Sequence, residues 1–273
     1  MENENVLEIA SDGRLKFITR EGSIREARLS GDWQLLSRGG QSFFRLEGSI
    51  LLILDASRPK NAFCVSVRGL EGTVVQLCEL NEARIRPGVI CFQRHCYVFG
   101  GMDGAGIELK RSAERLALSS EMEEFATTQW ESLTSMISPR ASFLPCVYND
   151  KIYLCGGFTF YCEVYDPVKQ TYTVLPFTLR EFDTRSHLAV FVNQTIVIIS
   201  QCWVTLWKLS TSNEIANYEI DKVPDPYSSG GVLMKVPNSY YSGGVLVNPN
   251  ICTLYYVAKG QLVSLKLQTS FGI

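Results

Sequence analysis

Histidine is scarce: 273 residues contain only His95 and His187. Zinc and copper centres draw on several imidazoles or on clustered thiolates. His95 lies in the turn Gln93-Arg94-His95, flanked by Cys91 and Cys96, with no further ligand at metal-binding spacing. A turn residue is the plainer reading. His187 opens a strand after Arg185-Ser186 and reads as structural or solvated. No metal and no cofactor is expected. The fingerprints of common catalysis are missing as well. There is no Gly-x-Ser-x-Gly elbow, and Ser228, Ser229 and Ser242 stand in loop-like sequence. The segment Met102-Asp103-Gly104-Ala105-Gly106 has glycines but no following Lys-Ser/Thr, so it offers no phosphate cradle. Glu121, Glu123 and Glu124 read as a solvated face. No catalytic residue emerges.

Long apolar runs are also lacking. The longest candidate, Ile50–Leu54, is the size of a strand, far short of a membrane span. The opening MENENVLEIASDGR is acidic and has no basic region leading into an apolar one, so no secretory signal is expected. A formal charge of −2 argues against nucleic acid or an anionic membrane as the main partner. Nine cysteines are present without any Cys-x-x-Cys pair, mostly inside apolar runs. The expectation is reduced, buried thiols acting as small hydrophobes in a cytoplasmic protein.

What the chain does have is punctuated β-sequence. From Ser138 to Pro176, SPRASFLPCVYNDKIYLCGGFTFYCEVYDPVKQTYTVLP, four short runs of β-branched and aromatic residues are separated by Asn149-Asp150, Gly156-Gly157 and Asp166-Pro167. A meander of this size cannot cover both of its own faces, so it needs neighbours like itself. They are visible. RPGVICFQRHCYVFGG ends at Gly100-Gly101 as RASFLPCVYNDKIYLCGG ends at Gly156-Gly157, a spacing of 156 − 100 = 56 residues, with Arg86 and Arg140 opening the first strand of each. QSFFRLEGSILLILDAS, RSHLAVFVNQTIVIISQ and GGVLVNPNICTLYYVAKG repeat the two-strand rhythm without the double glycine, and Trp33 and Trp130 take the place of Tyr172. The units run roughly 6–37, 41–80, 86–134, 140–177, 185–221 and 243–273. Polar, helix-compatible sequence at 103–128 and a Pro-, Ser- and Gly-rich stretch at 221–244 read as insertions.

The Gly-Gly pairs, Tyr165-x6-Tyr172 and Trp130 resemble the kelch-repeat family, whose unit is an apolar strand ending in Gly-Gly, then a Tyr, then a Trp after about six residues. The resemblance implies an all-β fold. It would be a kelch-type β-propeller of about six four-stranded blades, or five, formed by residues 1–273 as a single domain. It also implies a non-enzymatic scaffold that binds other proteins through loops at one end of the ring. Cytoskeletal or ubiquitin-ligase components are the expected partners. On that face fall Met102 and Asp103, the aromatic cluster Phe158, Phe160 and Tyr161, and the strand-opening Arg86, Arg140 and Arg185. Aromatics in that density serve as binding anchors or pack against an adjacent blade. The arginines read carboxylates or bond neighbouring carbonyls. Two rival readings stand beside the scaffold: a lyase or isomerase with a central pocket, and a structural part of a cytoskeletal assembly.

Overall fold

A computed structural model describes the backbone of residues 5–9, 12–18, 24–31, 33–34, 41–45, 50–55, 58–118, 128–178, 187–192, 195–199, 203–208, 215–219, 246–248, 253–258 and 261–266. Side chains are described for 12–16, 25–31, 33–34, 58–118, 128–143 and 145–175. The described residues contain no α-helix. Strands follow one another in groups. The first holds β1 (Asn5–Ile9), β2 (Arg14–Ile18) and β3 (Ile24–Gly31). The second holds β4 (Gln41–Arg45), β5 (Ile50–Asp55), β6 (Ala62–Arg68) and β7 (Glu71–Gln76). The third holds β8 (Gly88–Phe92), β9 (His95–Phe99), β10 (Ala113–Ala117) and β11 (Glu131–Leu133). The fourth holds β12 (Phe143–Leu144), β13 (Cys146–Tyr148), β14 (Lys151–Leu154), β15 (Tyr161–Asp166) and β16 (Thr171–Thr178). Next come β17 (His187–Val192), β18 (Thr195–Ile199), β19 (Trp203–Lys208) and β20 (Ile215–Glu219). Last are β21 (Leu246–Asn248), β22 (Thr253–Ala258) and β23 (Gln261–Lys266).

Within each group the chain meanders, every strand antiparallel to its predecessor. The exception is β12, which leaves its own group. Pro145 has no N–H to give a ladder, so the opening strand of group four breaks there. Its first half, β12, pairs in parallel with β17, and its second half, β13, pairs with β14. A parallel pairing of β3 with β7 likewise joins groups one and two. The opening strands of successive groups lie side by side: β1 by β4, β4 by β8, β8 by β12, and β12 and β13 by β17. This is the all-β meander architecture expected of the repeats.

Register is set by turn chemistry. The β8–β9 and β13–β14 hairpins close on two residues each, Gln93-Arg94 and Asn149-Asp150, all four with positive φ between 46° and 57°. That is the type I′ turn, whose twist matches the strands it joins. Both turns lie at one end of the sheets and touch, Gln93 Nε2 donating to Asp150 Oδ1 at 3.3 Å.

Alternate side chains of one strand enter different cores, because successive residues face opposite sides of a sheet. On β6, Phe63 and Val65 pack toward group one with Leu15, Ala27 and Leu29, while Ala62 and Cys64 pack toward group three with Val89, Cys96 and Val98. On β9 the division repeats. Cys96 and Val98 face group two, whereas Tyr97 and Phe99 join Phe143, Ile152, Leu154 and Tyr165 of group four. Both faces of these strands are therefore apolar, which is why they read as continuous hydrophobic runs. Aromatic rings fill the third of these seams: Tyr165 lies 4.7 Å from Tyr172 and 5.7 Å from Phe99, centroid to centroid. Trp130 sits in the second and donates from Nε1 to the Cys78 carbonyl at 2.9 Å.

Two sequence expectations need correction. Residues 103–128 are not helical through their middle. Ala113–Ala117 is the third strand of its group, paired with β9, and it buries Ala113, Glu114 and Leu116. The side chains of that stretch follow a sheet, and Leu116 takes the place that Tyr165 has in the next unit. Nor are all the described cysteines free. A disulfide joins Cys91 to Cys96, which are direct register partners. Cys64, Cys78, Cys146, Cys155 and Cys162 form no disulfide, and all but Cys78 are buried. Residues 221–244, Cys202 and Cys252 lie outside the described residues.

The aromatic seam has a pH signature. Burial pushes the phenols of Tyr97 and Tyr172 upward and that of Tyr165 up to about 12, from an ordinary value of 10.0. Above pH 10 the unfolded chain loses phenolic protons that the folded chain keeps. Stability is thus fully present below pH 10 and is lost as pH rises through about 12. Absorbance at 295 nm followed with far-UV circular dichroism should show these tyrosines ionising together with unfolding. Full ionisation near pH 10 in the folded protein would contradict the seam.

Candidate functional site

Charge is buried where successive sheets meet. Arg84, ahead of β8, is fully buried, and its Nε donates to Glu114 Oε1 at 2.9 Å. Its Nη1 donates to the Gly100 carbonyl at 2.7 Å and to the Ser112 carbonyl at 2.9 Å. Glu114 in turn accepts the backbone N–H of Asn81 at 2.7 Å and of Glu82 at 3.3 Å. Fifty-six residues on, the same device recurs. Arg140 donates to Glu163 Oε1 and to the Gly156 carbonyl, both at 2.7 Å. Glu163 accepts the N–H groups of Ile137 and Ser138 at 2.8 and 2.9 Å. Each carboxylate thus holds the connection that enters its own sheet, and each guanidinium ties that connection to a double-glycine turn.

The glycines make the approach possible. A Cβ on Gly100, at φ +60°, would stand 2.3 Å from the Arg140 carbonyl, and one on Gly157, at φ +82°, would stand 2.9 Å from the Ala141 carbonyl. Instead, Gly101 N–H donates to Arg140 O at 2.7 Å and Ala141 N–H to Gly157 O at 3.2 Å. Only residues without a side chain let the backbones close to this distance.

These turns build one face. The register Gly88↔Phe99 and Cys146↔Tyr153 puts the starts of the opening strands and the ends of β9 and β14 at the same end of the sheets. Backbone hydrogen bonds run across it: Ile85 and Met102 exchange two at 2.9 and 2.8 Å, and Ser142 N–H donates to Arg86 O at 2.8 Å. Arg86, Ser142 and Phe158 all hold positive φ, 53°, 57° and 69°, a conformation that side-chain-bearing residues keep only where their surroundings impose it.

The expected site residues divide on this face. Phe158, Phe160 and Tyr161 are 39%, 42% and 48% exposed, so they stand out from the seam beneath them. Met102, which follows Gly100-Gly101 as Phe158 follows Gly156-Gly157, is half-buried. Asp103 is committed to its own loop. Its Oδ1 accepts the N–H groups of Ile107 at 2.7 Å and Glu108 at 3.1 Å, which hold the carboxyl below its usual range. That cap raises Ile107 to the tip of the loop, 84% exposed. Arg86 is exposed beside the Ser142 backbone. Arg140 has a different place: it is fully buried in its pair with Glu163, so it does not line the face, and its Nε finds no partner. Arg185 lies outside the described residues. Sequence reasoning missed Arg84, because it aligned Arg86 with Arg140. The signal was available, since 100 − 84 and 156 − 140 are both 16. His95 turns back on its own hairpin, Nδ1 lying 2.9 Å from the Gln93 carbonyl. Among the described residues no three His, Cys, Asp or Glu side chains converge as metal ligands.

Comparison with known proteins yields a family motif and a relative. The kelch motif model matches residues 139–176, the meander entered at Arg140 and closed by β16. The F-box/kelch-repeat protein SKIP30 of Arabidopsis thaliana is 39% identical over 59 residues, 19% of this chain and 17% of that protein. Residues 139–176 thus carry a kelch motif, and the chain is similar to a kelch-repeat protein over a short stretch. It matches only that small share of its relative's length.

The buried pairs give a direct test of the site's frame. Arg140→Met leaves the Glu163 charge buried without its cation and should cost about 3–5 kcal/mol in urea unfolding. The double substitution Arg140→Met with Glu163→Gln should cost clearly less than the two single losses added together. Additive losses would show that the two side chains do not act as a pair.

Proposed function

We propose that the chain is a kelch β-propeller and a protein-binding scaffold, with the double-glycine face as its binding surface. Six consecutive groups of strands support about six blades. One observation carries the functional reading: three aromatic side chains within four residues, Phe158, Phe160 and Tyr161, stand exposed on a turn whose backbone is fixed from below. Rigid aromatics with one apolar face and little freedom left to lose make good anchors, since binding does not have to order them. Arg86 and the raised Ile107 extend the surface along group three. The F-box/kelch-repeat relative supports a protein partner, and ubiquitin-ligase components in a cytoplasmic setting are the first to test.

The test compares three full-length baits in quantitative affinity purification from native extract. These are the unaltered chain, the triple variant Phe158→Ala, Phe160→Ala and Tyr161→Ala, and a Val168→Ser control. Val168 is exposed in the β15–β16 turn at the opposite end of the sheet. Specific partners should fall at least about tenfold with the triple variant and persist with the control, as expected when anchors worth some 2 kcal/mol or more are removed. Partners retained by the triple variant, provided its circular dichroism is unchanged, would refute the assignment of the face.

A further inference from the structure

The hairpin of β8 and β9 holds a sulfur pair that the binding reading does not use. Cys91 and Cys96 are direct register partners, one step inside the pair Phe92↔His95 that borders the Gln93-Arg94 turn. Their Cα atoms are 4.2 Å apart. That is the spacing of an antiparallel pair that exchanges no backbone hydrogen bonds, about 4.5 Å, rather than of one that does, about 5.5 Å. In such a pair the side chains come closest, so the two sulfurs meet without any movement of the strands. The two cysteines differ in access: Cys96 is fully buried, whereas Cys91 is partly exposed. They lie on the seam between groups two and three, in one cluster with Cys64 and Cys78. Cys64 belongs to β6, where its register partners are Leu52 and Val75, so no hairpin sets its sulfur opposite Cys91 as it does that of Cys96.

We propose that Cys91 and Cys96 form a reversible dithiol–disulfide site that exchanges with small disulfides of the glutathione class. The Cys91 thiolate attacks one sulfur of an oxidised glutathione and releases one glutathione thiolate, leaving a mixed disulfide. The Cys96 thiolate then attacks the Cys91 sulfur, forms the intramolecular bond and releases the second glutathione. Two protein thiols are oxidised, one glutathione disulfide is reduced to two thiols, and the two protons pass to the released thiolates. Oxidation adds a covalent tie across the opening hairpin of group three. The tie sits toward the Gln93-Arg94 end, away from the double-glycine face, so the two features operate independently.

The natural chain carries its own readout. Trypsin cuts after Arg84, Arg94 and Lys110, which places the two cysteines on separate peptides, 85–94 and 95–110. Full-length protein is equilibrated in buffers of varied glutathione and glutathione disulfide, quenched in acid, alkylated and digested without reduction. The linked pair 85–94/95–110 should dominate at high disulfide, vanish at high thiol, and show the same midpoint from both directions. Cys96→Ser should stop the reaction at Cys91 carrying glutathione. The proposal is overturned if both cysteines stay separately alkylated at every ratio. It is equally overturned if either bonds instead to Cys64 or Cys78, or if the natural chain stops at the mixed disulfide. Should Cys96→Ser fail to fold, the natural chain alone decides.

Discussion

An apolar strand with both faces hydrophobic is stable only if something covers each face, and here the cover is the next sheet. Everything else in the molecule follows from that constraint. Phe63 and Cys64 are neighbours in the chain yet belong to different cores, and so are Cys96 and Tyr97. The sheets of groups two and three are each half of two interfaces. At about 25 cal/mol per Å² of apolar surface removed from water, the seams are the main source of stability, and no single unit owns one. A repeat of this type is therefore cooperative by construction, since loosening one sheet uncovers two others.

Burial by itself would let adjacent sheets slide. What fixes them where groups three and four are entered is a polar device, built twice, on Arg84 with Glu114 and on Arg140 with Glu163. A buried guanidinium bonds a double-glycine carbonyl and a carboxylate, and that carboxylate takes the N–H groups of the entering connection. Buried ion pairs contribute little net stability, because desolvation offsets their attraction. Their value here is geometric. They hold the face where Phe158 turns outward, so that aromatic exposure sits on a backbone with little freedom. Tyr165 and Tyr172 are less well served, each burying a hydroxyl that finds no protein partner.

Much of this was legible in the sequence. Asn149-Asp150 between two apolar runs names a hairpin, and Gly156-Gly157 names a close approach, because each demands backbone conformations that few residues supply. The spacing of the two double glycines then gave the unit. What was not legible has a physical cause in each case. Residues 113–117 read as helical because Ala, Glu, Arg and Leu are good helix formers, and pairing with β9 overrides that preference. Arg140 was placed on the binding surface because an arginine opens the first strand of successive units; its alternative reading, a bond to a neighbouring carbonyl, is the one seen at Gly156, and the glutamate 163 − 140 = 23 residues away makes its burial tolerable. The Cys91–Cys96 partnership depends on hairpin register, which a count of cysteines cannot show. The exposed aromatics needed only recognition of the turn before them.

The central claim is that no unit covers itself. Its most direct test is to express residues 138–178, the best-formed meander, alone and record its thermal melt by circular dichroism beside that of the full chain. The account predicts a featureless trace with no cooperative transition for the isolated meander and a single sharp transition for the whole protein. A cooperative melt of the fragment on its own would contradict it.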